Sequence, residues 1–230
     1  MVLINPGRFA LLKTEAKATR SRMPPEQRRA QLLSCAIAAF AEHGVARVTH
    51  AHVAALAHVS VAAVHSYFRT REDLVAETLT EVEASLLKIV TRAVREGVSA
   101  RTALTEMVTE FDRAAQEDSD VVKVWLDWST GFRADVWPRY LLMQEQLHAA
   151  VRKVLAAGKR RGEISEQMNI KAAARLFIGG GHTVALTRFA GASPQEIEIL
   201  IDHLIRSIMS IGLEADRATA PLLTNTAAAS

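Results

Sequence analysis

Apolar residues recur at three- and four-residue spacing through nearly every segment of this chain, and no strict alternation lasts long enough to mark a half-buried strand. A chain with that period alone has only helices to build with, so the expected fold class is all-α. Its 230 residues, 49% of them hydrophobic, can bury a real core as one large or two modest domains. Pro24-Pro25 opens a first helix whose stripe is Leu32, Leu33, Ala36, Ile37 and Phe40, and Gly44 ends it. A second, short helix covers about His50 to Ala57, and Ser60 caps a third that ends near Tyr67. Thr70, with Asp73 three residues on, resembles a capping box for a long fourth helix. Longer helices are expected over 101–117, 119–134, 137–160, 170–189 and 194–213. The last has Ser193 as cap, Pro194 at the first helical position and Glu196 as the returning carboxylate. Segments 1–19 and 215–230 are small, polar or mixed, and are expected as disordered tails.

The third of these helices is too thin to be explained by burial. If Ser60 caps it, Val59, Val64 and Phe68 face inward, leaving Val61, Ala62, His65 and Ser66 on the other side. That outer face is small, uncharged and able to hydrogen-bond, which suits the base edges of a DNA major groove. Charge agrees: through Arg71 there are ten Lys and Arg against three Glu, a balance of +7, while the remainder has eighteen basic and twenty-two acidic residues, a balance of −4. The basic end is the expected contact for a polyanion. Thr49, Tyr67 and Arg71 would flank the helix as phosphate contacts, which position without reading sequence. Ser60 and His50 complete the candidate DNA-binding set on the helices. Arg20 and Arg22 precede the first helix as a basic arm able to reach a narrow A·T-rich minor groove.

Other classes find little support. The single cysteine, Cys35, allows no internal disulfide and fits a reducing cytosol as a small core residue. The first 18 residues lack the apolar stretch of a signal peptide, and no apolar run approaches the roughly 20 residues that span a bilayer. A cytoplasmic protein without membrane contact is expected. His50 and His52 diverge on a helix and make a poor metal pair, with no Cys or carboxylate at ligand spacing. There is no Gly-rich phosphate loop, no nucleophile elbow and no helical Glu-x-x-His pair. No catalytic residue, metal or cofactor is therefore expected.

The stretch "THAHVAALAHVSVAAVHSYFRTREDLVAETL" resembles the helix-turn-helix of the TetR family of bacterial transcription regulators. His58 departs from that pattern, standing where the family usually has glycine, and His65 stands where it usually has an aromatic. Three pieces, "RSRMPPEQRRAQLL", "SVAAVHSYFRTREDLV" and "VVKVWLDWSTGFRADVWPRYLL", are similar to the LuxR/HapR-type quorum-sensing master regulators, a TetR subgroup. The resemblance spans roughly residues 20–212. It implies a basic arm and helix-turn-helix DNA-binding domain over 20–71, then a helical regulatory and dimerisation domain over 72–214. It also implies a homodimer on a double-stranded, imperfectly palindromic operator, acting as a global regulator that represses or activates. The alternative is a ligand-released repressor of one neighbouring transport or metabolic operon.

In the C-terminal part, large apolar residues recur at helical spacing, a stripe that is ordinarily core. In TetR-like proteins the same helices enclose a cavity for a small apolar molecule. The candidate lining here is Leu86, Ile89, Leu104, Met107, Phe111, Trp125, Trp128, Tyr140 and Phe177, with Gln144 as a polar group to orient the ligand. The last two helices read as a dimer interface. Ile197, Leu200, Ile201, Leu204, Ile205 and Ile208 form a stripe wider than one packing face needs, and Gly179 to Gly181 allow close approach on the preceding helix. Two such hairpins would make a symmetric four-helix bundle.

Overall fold

The computed structural model describes residues 23–132 and 134–213. Among them are nine α-helices: α1 (Pro25–His43), α2 (His50–Ala57), α3 (Val61–His65), α4 (Arg71–Arg92), α5 (Ala100–Glu117), α6 (Ser119–Thr130), α7 (Trp137–Arg160), α8 (Ile170–Phe189) and α9 (Pro194–Ser210). No strand occurs among the described residues.

The helix boundaries follow local chemistry. Gly44, at φ 80°, ends α1 and donates its N–H to the Phe40 carbonyl. At the start of α4 the Asp73 N–H donates to Thr70 Oγ1 and the Thr70 N–H to Asp73 Oδ2, both at 3.0 Å, which closes the expected capping box. Ser193 and Glu196 do the same for α9. Three ends differ from expectation. α3 stops at His65, two residues before Tyr67, and α6 stops at Thr130 rather than 134, where the Gly131 N–H turns back to the Trp128 carbonyl. α9 stops at Ser210 rather than 213, because Gly212 sits at φ 87° in the left-handed region.

One apolar core runs from Leu32 on α1 to Ile208 on α9 without a break. α1 packs against α2, α4 and α6, so the N-terminal helices rest directly on the C-terminal ones. α4 is then tied to α7, where the Arg139 guanidinium meets Glu83 in two bonds of 2.8 and 2.9 Å and donates to the Ala76 carbonyl. Arg188 closes a second two-bond pair on Asp112, at 2.9 and 2.7 Å, holding the end of α8 to α5. Both pairs are largely covered, which protects them from the screening that makes surface pairs weak.

Candidate functional site

α3 buries one side chain, Val64, and Phe68 follows it into the core. Ser60 caps the helix by accepting the Ala63 N–H at 3.1 Å. Val61, Ala62, His65 and Ser66 are exposed together on the outer side, where the sequence pattern places them. Ser66 donates its hydroxyl to the Ala63 carbonyl at 2.7 Å, leaving its oxygen able to accept. Thr49 is exposed at the start of α2, and Tyr67 is half-buried beside the helix.

Two expected contacts have other employment. His50 is only 7% exposed, and its Nε2 lies 2.8 Å from the Phe68 carbonyl, so the ring is inside and does not face solvent. Arg71 donates to the carbonyls of Val48, Val45 and Ala46 at 3.0, 2.8 and 2.7 Å. Its fork closes the turn between α1 and α2, whose carbonyls would otherwise lack partners. On the far side of that turn, Asp127 of α6 accepts the Val45 N–H at 2.9 Å. Sequence period shows neither role, because both depend on contacts between distant segments. Arg20 and Arg22 lie outside the described residues.

His58 ends α2 in the left-handed region at φ 53°, the only non-glycine residue with positive φ among those described. Glycine is the residue that adopts this conformation without steric cost, and a β-carbon there costs about 1 kcal/mol. The turn between α2 and α3 is thus the same turn the glycine pattern would make, held under strain.

A small apolar cavity of about 40 Å³ lies among α4, α5, α6, α7 and α8. Six of the expected residues line it: Leu86, Ile89, Met107, Phe111, Trp125 and Phe177. The lining is completed by Val90, Val108, Leu147, Ile178 and Gly181, which residue type and helical spacing alone do not set apart from other buried positions. Leu104, Trp128, Tyr140 and Gln144 do not line it. Leu104 is wholly buried in the core, and Trp128 donates Nε1 to the Val136 carbonyl at 3.1 Å while packing edge-on against Tyr140. Burial pushes the Tyr140 phenol above its ordinary range. Gln144 Oε1 and Trp125 Nε1 are buried without hydrogen-bond partners. The Trp125 ring lies against His182 with centroids 3.8 Å apart, and burial lowers that imidazole's pKa.

The α8–α9 hairpin divides the expected interface stripe. Ile197, Ile201, Ile205 and Ile208 point into the chain's own core and are unavailable to a partner. Leu200 is half-buried, as is Leu204, which packs over Gly180 so closely that a β-carbon there would meet its methyls at 2.4 and 2.6 Å. The outward apolar residues are instead Leu176 (59% exposed), Leu186 and Ile199 (57% exposed). Helical period marks the α9 stripe without saying whether the chain's own core or a partner takes it, and it does not single out Leu176, Leu186 or Ile199.

Among the described residues no three His, Cys, Asp or Glu side chains gather as a metal site, and no helix is long and apolar enough to cross a membrane. Residues 32–78 match the model of the bacterial regulatory proteins of the tetR family. Over 196 residues the chain is 30% identical to the HTH-type transcriptional regulator LuxR of Vibrio harveyi, covering 85% of this chain and 94% of that one. It is 24% identical over 198 residues to the HTH-type nicotine-responsive transcriptional repressor HdnoR of Paenarthrobacter nicotinovorans, covering 84% of this chain and all of that one. The fold is also similar to the crystal structure of the regulator FadR from Bacillus subtilis in complex with stearoyl-CoA. There the TM-score is 0.66 at 16% identity, over 79% of this chain and 97% of that one.

Proposed function

The chain belongs to the TetR family of bacterial regulatory proteins and is a DNA-binding transcriptional regulator; on that premise we propose that it works as a cytoplasmic homodimer that sets α3 of each subunit into the major groove of a pseudo-palindromic operator. The observation that carries this reading is the outer face of α3. Val61, Ala62, His65 and Ser66 are exposed, small enough for close approach and free of carboxylates, at the basic end of the chain. Ser60, Thr49 and Tyr67 stand at its edges to meet phosphates, and the arm with Arg20 and Arg22 adds minor-groove contacts. Leu176, Leu186 and Ile199, large apolar side chains that the α8–α9 hairpin leaves exposed, supply the dimer face.

Likeness to LuxR along most of both chains favours a global regulator that represses some promoters and activates others. The cavity supports the same side. At about 40 Å³ it has room for a few water-sized groups, well short of the roughly 300 Å³ and more of ordinary small-molecule sites.

The second reading, a repressor released by a small apolar ligand, has one observation of its own. Trp125 lines the cavity and Asp127, two residues along α6, is bonded to the α1–α2 turn, so a ligand that shifts α6 would pull on the DNA-binding helices. A genome-wide binding map separates the two. Many scattered sites sharing a palindrome are expected of the global regulator, whereas one site beside an adjacent transport or metabolic operon would support ligand release. Absence of specific sites would overturn both.

A further inference from the structure

The buried ring of His50 lies under the exposed ring of His65, with centroids 3.9 Å apart and planes 13° from parallel. His50 Nε2 is 2.8 Å from the Phe68 carbonyl. A carbonyl oxygen only accepts, so Nε2 bears the hydrogen and the ring is anchored from below. His65 Nδ1 is 3.3 Å from the Arg69 carbonyl, which by the same reasoning places the hydrogen of the neutral ring on Nδ1. His65 Nε2 is then a bare lone pair, with no partner among the described residues. Two contacts, a stack and a hydrogen bond, therefore fix both the orientation and the tautomer of the one imidazole on the outer face of α3.

Resting on the reading of α3 as the groove-facing helix, we propose that His65 recognises, through Nε2, a base offering an exocyclic amino hydrogen in the major groove, and that His50 is the positioning residue for it. Adenine N6 and cytosine N4 present such donors. Guanine N7 and O6 and thymine O4 present only acceptors, which a lone pair repels. A phenylalanine at this position would have no acceptor with which to make the distinction. The stack is what keeps Nε2 on one line of approach, because an unsupported surface imidazole would rotate among rotamers and accept from several directions.

The test is selection from a random pool of duplexes at pH 8, above the range where imidazole ordinarily charges, using the full chain and four variants. Wild type is expected to enrich one base pair at one position of each half-site by about fivefold or more. His65→Phe should lose that preference with the other positions unchanged. His50→Gln, which removes the supporting ring, should relax the same position alone, whereas His50→Phe, which keeps a ring there, should retain it. In a fixed duplex, replacing the adenine of that pair by purine, or its cytosine by pyrimidin-2-one, removes the amino group and should weaken wild type by about fivefold while leaving His65→Phe unaffected. Equal binding of the amino-free duplex by wild type overturns the proposal. So does a general loss of affinity in His50→Gln with the base preference intact, the mark of a merely structural role, or a loss of the preference in His50→Phe. If His65→Phe changes nothing while Ser66→Ala shifts another position, this inference fails and the groove-facing helix stands. If neither variant shifts any position, the groove-facing helix itself is refuted.

Discussion

At one end of the molecule the five-residue α3 buries a single side chain and turns small, hydrogen-bonding residues outward; at the other, α8 and α9 run for 20 and 17 residues and turn Leu176, Leu186 and Ile199 outward. The short helix has too few contacts to hold itself, and a helix of that length is not stable alone. It is held by its Ser60 cap, by Val64 and Phe68 in the core, and by the His50 ring behind it. The long pair has its own buried face and also bears large apolar side chains that the chain leaves uncovered. In both places the residues that secure the fold and those left over for a partner alternate along one helix. The left-over residues are polar and small where DNA is the proposed partner, and large and apolar where a second copy is.

The sharpest break in that comparison lies within α9 itself. Ile205 is 2% exposed, and Ile205→Asp puts a carboxylate among apolar groups with nothing to pair it, at a cost of about 3–5 kcal/mol. Loss of the cooperative thermal transition, or aggregation, is expected. Ile199→Asp, six residues away on the outer side, should keep its helical circular dichroism and sediment as a monomer with little operator affinity. A stable dimer of Ile199→Asp would move the interface off this face, and a well-folded Ile205→Asp would contradict the division of the stripe.

Arg71 allows a smaller test at the DNA-binding end. Lysine keeps the charge but not the planar fork, so Arg71→Lys should lose most of the three bonds to the α1–α2 turn. The expected loss is about 1–3 kcal/mol, seen as a melting temperature several degrees lower. The slope of operator affinity against salt should hold, since no phosphate contact disappears. An unchanged melting temperature with a shallower salt slope would return Arg71 to the phosphate role that its charge and position first suggest.

Arg71 and His50 also mark the limit of what the sequence discloses. Caps, stops and stripes are local, and so the all-α class, the Thr70–Asp73 and Ser193–Glu196 boxes and most helix ends can be read from neighbours in the chain. The outer face of α3 is readable for the same reason, its length leaving room for only one inward stripe. Hydrogen bonds from Arg71 to residues 45, 46 and 48, or from His50 to Phe68, join segments whose approach no local pattern encodes. Leu104, Trp128 and Tyr140 fail as cavity residues for a related reason: size and period place a side chain in the interior without saying whether its neighbours leave a gap. The α9 isoleucines are the mirror case, a correct apolar stripe assigned to the wrong neighbour.

The smallest expected effect concerns acid, and it belongs to two histidines of the long helices. His182 of α8 lies against Trp125, and burial lowers its pKa from the ordinary 6.5, while its bond with the Ile178 carbonyl opposes the shift. Burial also lowers the pKa of His148 on α7, which Glu145 opposes and Arg175 and Arg152 reinforce. For a histidine whose folded pKa is depressed, the unfolded chain takes up its proton first as pH falls. The stability these rings allow is thus present above pH 6.5, declines below it, and levels off once pH passes the folded rings' own lowered values. Melting temperature should accordingly fall between pH 6.5 and the acid side, and His182→Phe, which keeps an aromatic ring against Trp125, should make that fall shallower. Hydrogen exchange along α8 locates the effect, with amides near residue 182 losing protection in acid more in wild type than in the variant. If the variant's melting temperature falls with pH as steeply as the wild type's, the acid response does not arise at this ring.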